Sequence, residues 1–66
     1  MNVAVNGETR PLDPGTTVAE LLRDLDLEGK PVAVERNGNT VPKTDHEKTR
    51  LAEGDRLEIV TFVGGG

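Results

Sequence analysis

Leu51-Ala52-Glu53-Gly54-Asp55-Arg56-Leu57-Glu58-Ile59-Val60-Thr61-Phe62-Val63-Gly64-Gly65-Gly66 is the stretch that decides the fold. It opens as a turn with Gly54 at the bend and delivers the chain into its longest strand-like run, Arg56 to Val63. Leu57 and Ile59 alternate with Arg56 and Glu58, as in a half-buried strand. From Val60 onward the run is apolar on both faces, which predicts a central strand with something covering each side. A final strand of this kind pairs most simply with the first strand, parallel to it if a helix provides the crossover.

Working outward, Met1-Asn2-Val3-Ala4-Val5 alternates, with Met1, Val3 and Val5 on one face, and runs into Asn6-Gly7. Asn-Gly between extended segments signals a type I′ hairpin turn, which needs positive φ at both central positions. The second strand is expected from about Glu8 to Leu12, stopped by Asp13-Pro14-Gly15. Thr17 and Glu20 then have capping-box spacing. Val18, Leu21, Leu22 and Leu25 follow as one apolar helical stripe, with Glu20, Arg23 and Asp24 facing water and Gly29 and Pro31 ending the helical region. Val32-Ala33-Val34, Asn37-Gly38 and Thr40-Val41 repeat the hairpin pattern, and Pro42, which cannot donate to a ladder, closes it. Thr44-Asp45-His46-Glu47 offers a second capping-box spacing and predicts one helical turn. The order is hairpin, helix, hairpin, short turn, long strand. It predicts an α+β fold with one main helix packed across a mixed sheet of about five strands.

Composition restricts function. A chain of 66 residues holds one small domain and leaves no room for a cleft between domains. Cysteine is absent, so there is neither a disulfide nor a thiolate metal site, and the fold must rely on its apolar core. The net charge of -4 and the scattered basic residues oppose nucleic-acid binding. No apolar run approaches transmembrane length and Met1-Asn2-Val3 lacks the positive start of a signal peptide, so a soluble cytoplasmic protein without membrane association is expected.

The catalytic inventory is nearly empty. His46 sits among charged residues with no ligand spacing around it, and is expected to be a solvated loop histidine. Asp24, Asp26 and Glu28, and Glu53 and Asp55 around Gly54, lack the D-x-D-x-D-G pattern of a cation loop, and are expected to form a solvated face suited to a basic partner. Thr16 and Thr17 read as caps. There is no phosphate-binding glycine loop, and no metal site is expected. The unusual feature is Gly64-Gly65-Gly66. A carboxylate at the end of a glycine run sits on a thin tether that can thread a narrow channel in another protein, where ATP-dependent activation would make it electrophilic.

These residues resemble the ubiquitin-like β-grasp sulfur carriers, most closely the thiamine-biosynthesis ThiS type. The resemblance covers the whole chain: Val3-Ala4-Val5-Asn6-Gly7-Glu8, Thr17-Val18-Ala19-Glu20-Leu21-Leu22, Val32-Ala33-Val34, Val41-Pro42, and Leu51 through Gly66. It implies a β-grasp domain over 1–63 and a flexible Gly tail over 64–66. It further implies that an E1-like adenylyltransferase of the ThiF type, using ATP and Mg²⁺, adenylates Gly66. Sulfur relayed from a cysteine desulfurase then gives a thiocarboxylate, and thiazole synthase of the ThiG type takes that sulfur. On this view Gly64 and Gly65 thread partner active sites, Val60 and Phe62 form a partner-binding face opposite the helix, the chain binds no cofactor of its own, and it is a monomeric co-substrate, not an enzyme. Gly-Asp and Gly-Gly are shared with the molybdopterin-synthase small subunit. A carrier for molybdopterin or another sulfur metabolite is therefore one alternative, and a non-catalytic β-grasp interaction module is another.

Overall fold

A computed structural model describes residues 1–62; Val63 and the Gly64–Gly66 tail lie outside the described residues. Five strands form one sheet in the order β2-β1-β5-β3-β4, with β1 at Asn2–Val5, β2 at Glu8–Pro11, β3 at Val32–Arg36, β4 at Asn39–Val41 and β5 at Arg56–Thr61. Among the described residues one α-helix, α1, spans Val18–Asp24, and a 3₁₀ turn spans Lys43–Asp45. This is the mixed α+β sheet expected from the sequence, with β5 central and parallel to β1.

Both hairpins turn on the predicted chemistry. Asn6 and Gly7 have φ of 50° and 85°, and Asn37 and Gly38 have 51° and 86°, the positive pair a type I′ turn requires. Thr17 caps α1: its Oγ1 accepts from the Glu20 N–H at 3.2 Å, while the Thr17 N–H donates to Glu20 Oε1 at 3.0 Å. The Thr17 N–H, together with the Thr17 hydroxyl donating to the same Oε1 at 3.1 Å, holds the Glu20 carboxyl below its ordinary pKa. Thr16 does not cap; its buried hydroxyl donates to the Asp13 carbonyl and closes the preceding turn.

The helix ends earlier than Gly29. Leu25 is its C-cap and Asp26 takes the left-handed φ of 60°. The Leu27 N–H donates to Leu22 O and the Asp26 N–H to Arg23 O, the paired bonds of a Schellman ending, here with Asp in the place glycine usually holds. The second capping-box spacing is not used either, because Pro42 precedes the 3₁₀ turn and no side chain caps it. Val18, Leu21 and Leu22 of α1 meet Val3, Val5, Val34, Val41, Leu57 and Ile59 of the sheet, with Leu51, in one core. Nothing among the described residues covers the other face, where Val60 is 55% exposed; the cover expected on both sides of β5 is present on one.

Candidate functional site

The end of β5 carries the candidate site because it leads into the tail. Side chains alternate along a strand, so burial of Leu57 and Ile59 against α1 turns Glu58 and Val60 to the open face. Val60 sits opposite Ala33 of β3. One residue beyond β5, the Phe62 N–H donates to Pro31 O at 3.0 Å, and its ring is 57% exposed. Phe62 borders a groove of about 750 Å³ between the end of α1 and the 3₁₀ turn, lined also by Leu22, Leu27, Val32 and His46. Val60 and Phe62 are thus exposed side by side in sequence but face different surroundings. Gly64, Gly65 and Gly66 lie outside the described residues, so the sites expected on them have no geometry here.

Two features hold the base of β5 in place. Asn6 follows β1; its main-chain N–H still donates to Leu57 O at 2.9 Å, and its side chain extends the pairing to β5: Oδ1 accepts from the Ile59 N–H at 2.7 Å and Nδ2 donates to Ile59 O at 3.1 Å. At the start of β5, Asp55 is buried, contrary to the solvated face expected of it. Its carboxylate accepts from the Ala52 N–H at 2.8 Å, Arg36 Nε at 2.8 Å and Asn37 Nδ2 at 3.1 Å. Burial pushes the Asp55 carboxyl up, but these donors outweigh it and hold the group below its ordinary value. Glu53 does remain exposed, accepting from the Asn2 N–H, and Glu28 pairs with Arg23 at 3.0 Å on the surface.

His46 also departs from expectation. It is buried, with Nε2 3.0 Å from Val41 O, while its carbonyl accepts from the Ala19 N–H. Five residues after Val41, the 3₁₀ turn folds the ring back under β4, where it joins the turn to the sheet and the helix. Its role is structural, and the charged neighbours in sequence gave no sign of this. Among the described residues there is no group of three His, Cys, Asp or Glu that could hold a metal ion. No helix among them is long and apolar enough to cross a membrane.

The ThiS family matches residues 3–66. The chain is 44% identical over its whole length to a thiazole synthase of Paramagnetospirillum magneticum, but spans only 20% of that relative's length. Over 50 residues it is 44% identical to the sulfur carrier protein ThiS of Bacillus subtilis, covering 76% of each chain. The fold superposes on the crystal structure of the thiamine biosynthesis protein ThiS from Geobacter metallireducens with a TM-score of 0.82, at 35% identity and full coverage of both chains.

Proposed function

The chain belongs to the ThiS family, and from that membership we propose that it is a sulfur carrier of thiamine biosynthesis whose reactive group is the carboxylate of Gly66. The supporting observation is that the family match runs through Gly66, so the glycine run, which begins three residues after Thr61 at the end of β5, is part of the matched pattern. In this reading an E1-like enzyme of the ThiF type brings ATP and Mg²⁺. A Gly66 carboxylate oxygen attacks the α-phosphate, pyrophosphate leaves, and the carbonyl becomes electrophilic as an acyl-adenylate. A persulfide charged by a cysteine desulfurase attacks that carbon and displaces AMP; a second thiol cleaves the S–S bond and leaves the thiocarboxylate. Thiazole synthase consumes the sulfur and returns the carboxylate.

This chain's own part is to present the carboxylate and to be recognised. Gly64 and Gly65 carry no Cβ, which suits passage through a narrow channel. Val60 and Phe62 offer apolar area where partners have to dock, as exposed apolar groups at an interface do.

Mass spectrometry tests the reading. After incubation with the adenylating enzyme, ATP, Mg²⁺ and a sulfur donor, the intact chain is expected to gain the mass difference between sulfur and oxygen. An unchanged mass overturns the proposal. Deleting Gly66 is expected to abolish the gain while leaving the unfolding transition unaltered.

A further inference from the structure

The register of β3 against β5 sets Glu35 directly opposite Glu58. Both side chains lie on the open face, because Val34, Leu57 and Ile59 beside them in sequence are buried in the core. On either side of this pair, the Asn37 N–H donates to Arg56 O at 2.7 Å and the Phe62 N–H to Pro31 O at 3.0 Å. The alternation makes Glu35–Glu58 a hydrogen-bonded pair, whose Cα atoms stand about 5.5 Å apart. Like charges directly opposite each other weaken a sheet. The ion pairs among the described residues are Arg23–Glu28 and Arg36–Asp55, and neither involves these two glutamates or Arg56, which is exposed on the same face two residues before Glu58. The next pair along the same face is Val60 with Ala33, exposed and apolar.

The free chain therefore carries two unfavourable features side by side, a repelling acidic pair and an uncovered apolar patch, across β3 and the strand β5 that leads toward the tail. An apolar surface bearing a cation relieves both. We propose that an arginine of thiazole synthase enters between Glu35 and Glu58 when the carrier docks, with Val60 packed against apolar surface beside it. The planar guanidinium presents donors in a fork that two carboxylates can share, which a lysine ammonium cannot match. Among the described residues no group of three His, Cys, Asp or Glu could hold a metal ion, and a cationic side chain from a partner brings its own apolar surroundings to Val60. The chain's net charge of -4 draws it to such a surface. The choice of thiazole synthase over the adenylating enzyme rests on the function proposed above and on the thiazole synthases that carry a counterpart of the entire chain.

The test measures calorimetric binding of the full chain to thiazole synthase at two salt concentrations, alongside urea unfolding. Glu35→Gln with Glu58→Gln is expected to weaken binding by about tenfold or more and to flatten its salt dependence, while the urea midpoint holds or rises. Glu8→Gln with Asp24→Asn removes the same charge from exposed sites elsewhere and is expected to leave the affinity within about threefold. Undiminished binding of the Glu35/Glu58 variant overturns the inference, as does an equal loss in the Glu8/Asp24 variant, which would make net charge the cause. Failure of the wild-type chain to bind overturns the thiazole-synthase partnership itself; wild-type binding with an indifferent acidic pair overturns only the arginine contact.

Discussion

Asp55→Ala is expected to remove a large part of the stability of this domain. At about 0.05–0.15 kcal/mol per residue, a chain of this length has roughly 3–10 kcal/mol in total. Asp55 accepts from a backbone amide, a guanidinium and a side-chain amide, and alanine strands all three donors at once. Removing one partner of a fully buried ion pair costs about 3–5 kcal/mol. Here the Arg36 side chain is 31% exposed and can turn to water, while the Asp55 side chain is only 8% exposed. The expected loss is therefore near the lower limit, about 3 kcal/mol, or roughly a hundredfold in the folding equilibrium. Asp55→Asn keeps one acceptor oxygen and is expected to cost about half as much.

The pH dependence separates charge from shape. A carboxyl with a lower pKa folded than unfolded contributes stability above its unfolded value, near 3.8, and loses that contribution as pH falls through the folded value. Wild type should keep the full contribution at neutral pH and lose it in strong acid, whereas Asp55→Asn should lack that acid-dependent loss. Urea unfolding followed by far-UV circular dichroism suits a chain with no Trp or Tyr. A loss under about 1 kcal/mol for Asp55→Ala, or superimposable acid profiles for wild type and Asp55→Asn, would refute the reasoning.

Asn6→Ala removes both side-chain ladder bonds to Ile59 and puts a Cβ-bearing residue without a polar side chain at positive φ; about 2 kcal/mol should be lost, and Ile59 amide exchange should accelerate, so an equally protected Ile59 contradicts the ladder role. Asp26→Gly should stabilise by about 0.5–1 kcal/mol by relieving left-handed strain at the helix end, read as a thermal midpoint several degrees higher; a lower midpoint would show that the aspartate side chain contributes there. Phe62→Ala should weaken partner binding yet cost under about 1 kcal/mol of stability, against about 2–5 for Leu21→Ala in the core; comparable losses for the two would make Phe62 a core residue.

What the sequence revealed follows the range of the interactions involved. The two Asn-Gly turns, the Thr17–Glu20 box and the apolar stripe of α1 are local, and each appears where its spacing predicts. The pairing of β1 with β5 was legible because the helix between them supplies the crossover a parallel pair needs. The helix end is hidden from the sequence because Gly29 is the stronger glycine signal, while the chain tolerates left-handed Asp26 and stops there. The polar sequence neighbours of Asp55 and His46 point to solvent, but their partners Arg36, Asn37 and Val41 come from other elements. The Glu35–Glu58 juxtaposition has no local signature, since it depends on a register between strands more than twenty residues apart.

Polar groups on the inner side and at the base of the sheet are satisfied within the chain. Asp55 gathers donors from Arg36, Asn37 and Ala52, Asn6 completes the Ile59 ladder, His46 meets Val41, and no buried side-chain polar atom is left without a partner among the described residues. The open face near the end of β5 is different: Val60 is bare and two glutamates face each other with no ion pair formed, while Phe62 stands out beside the groove at the end of α1. A small domain with little stability to spare resolves its buried polar groups with care, so unresolved cost gathered where β3 meets β5 is informative. β5 joins the two conditions physically. Leu57 and Ile59 anchor it to α1 while Glu58 and Val60, on the same backbone, face outward. A partner that grips the outer residues therefore takes hold of a strand paired on both sides and anchored to the core.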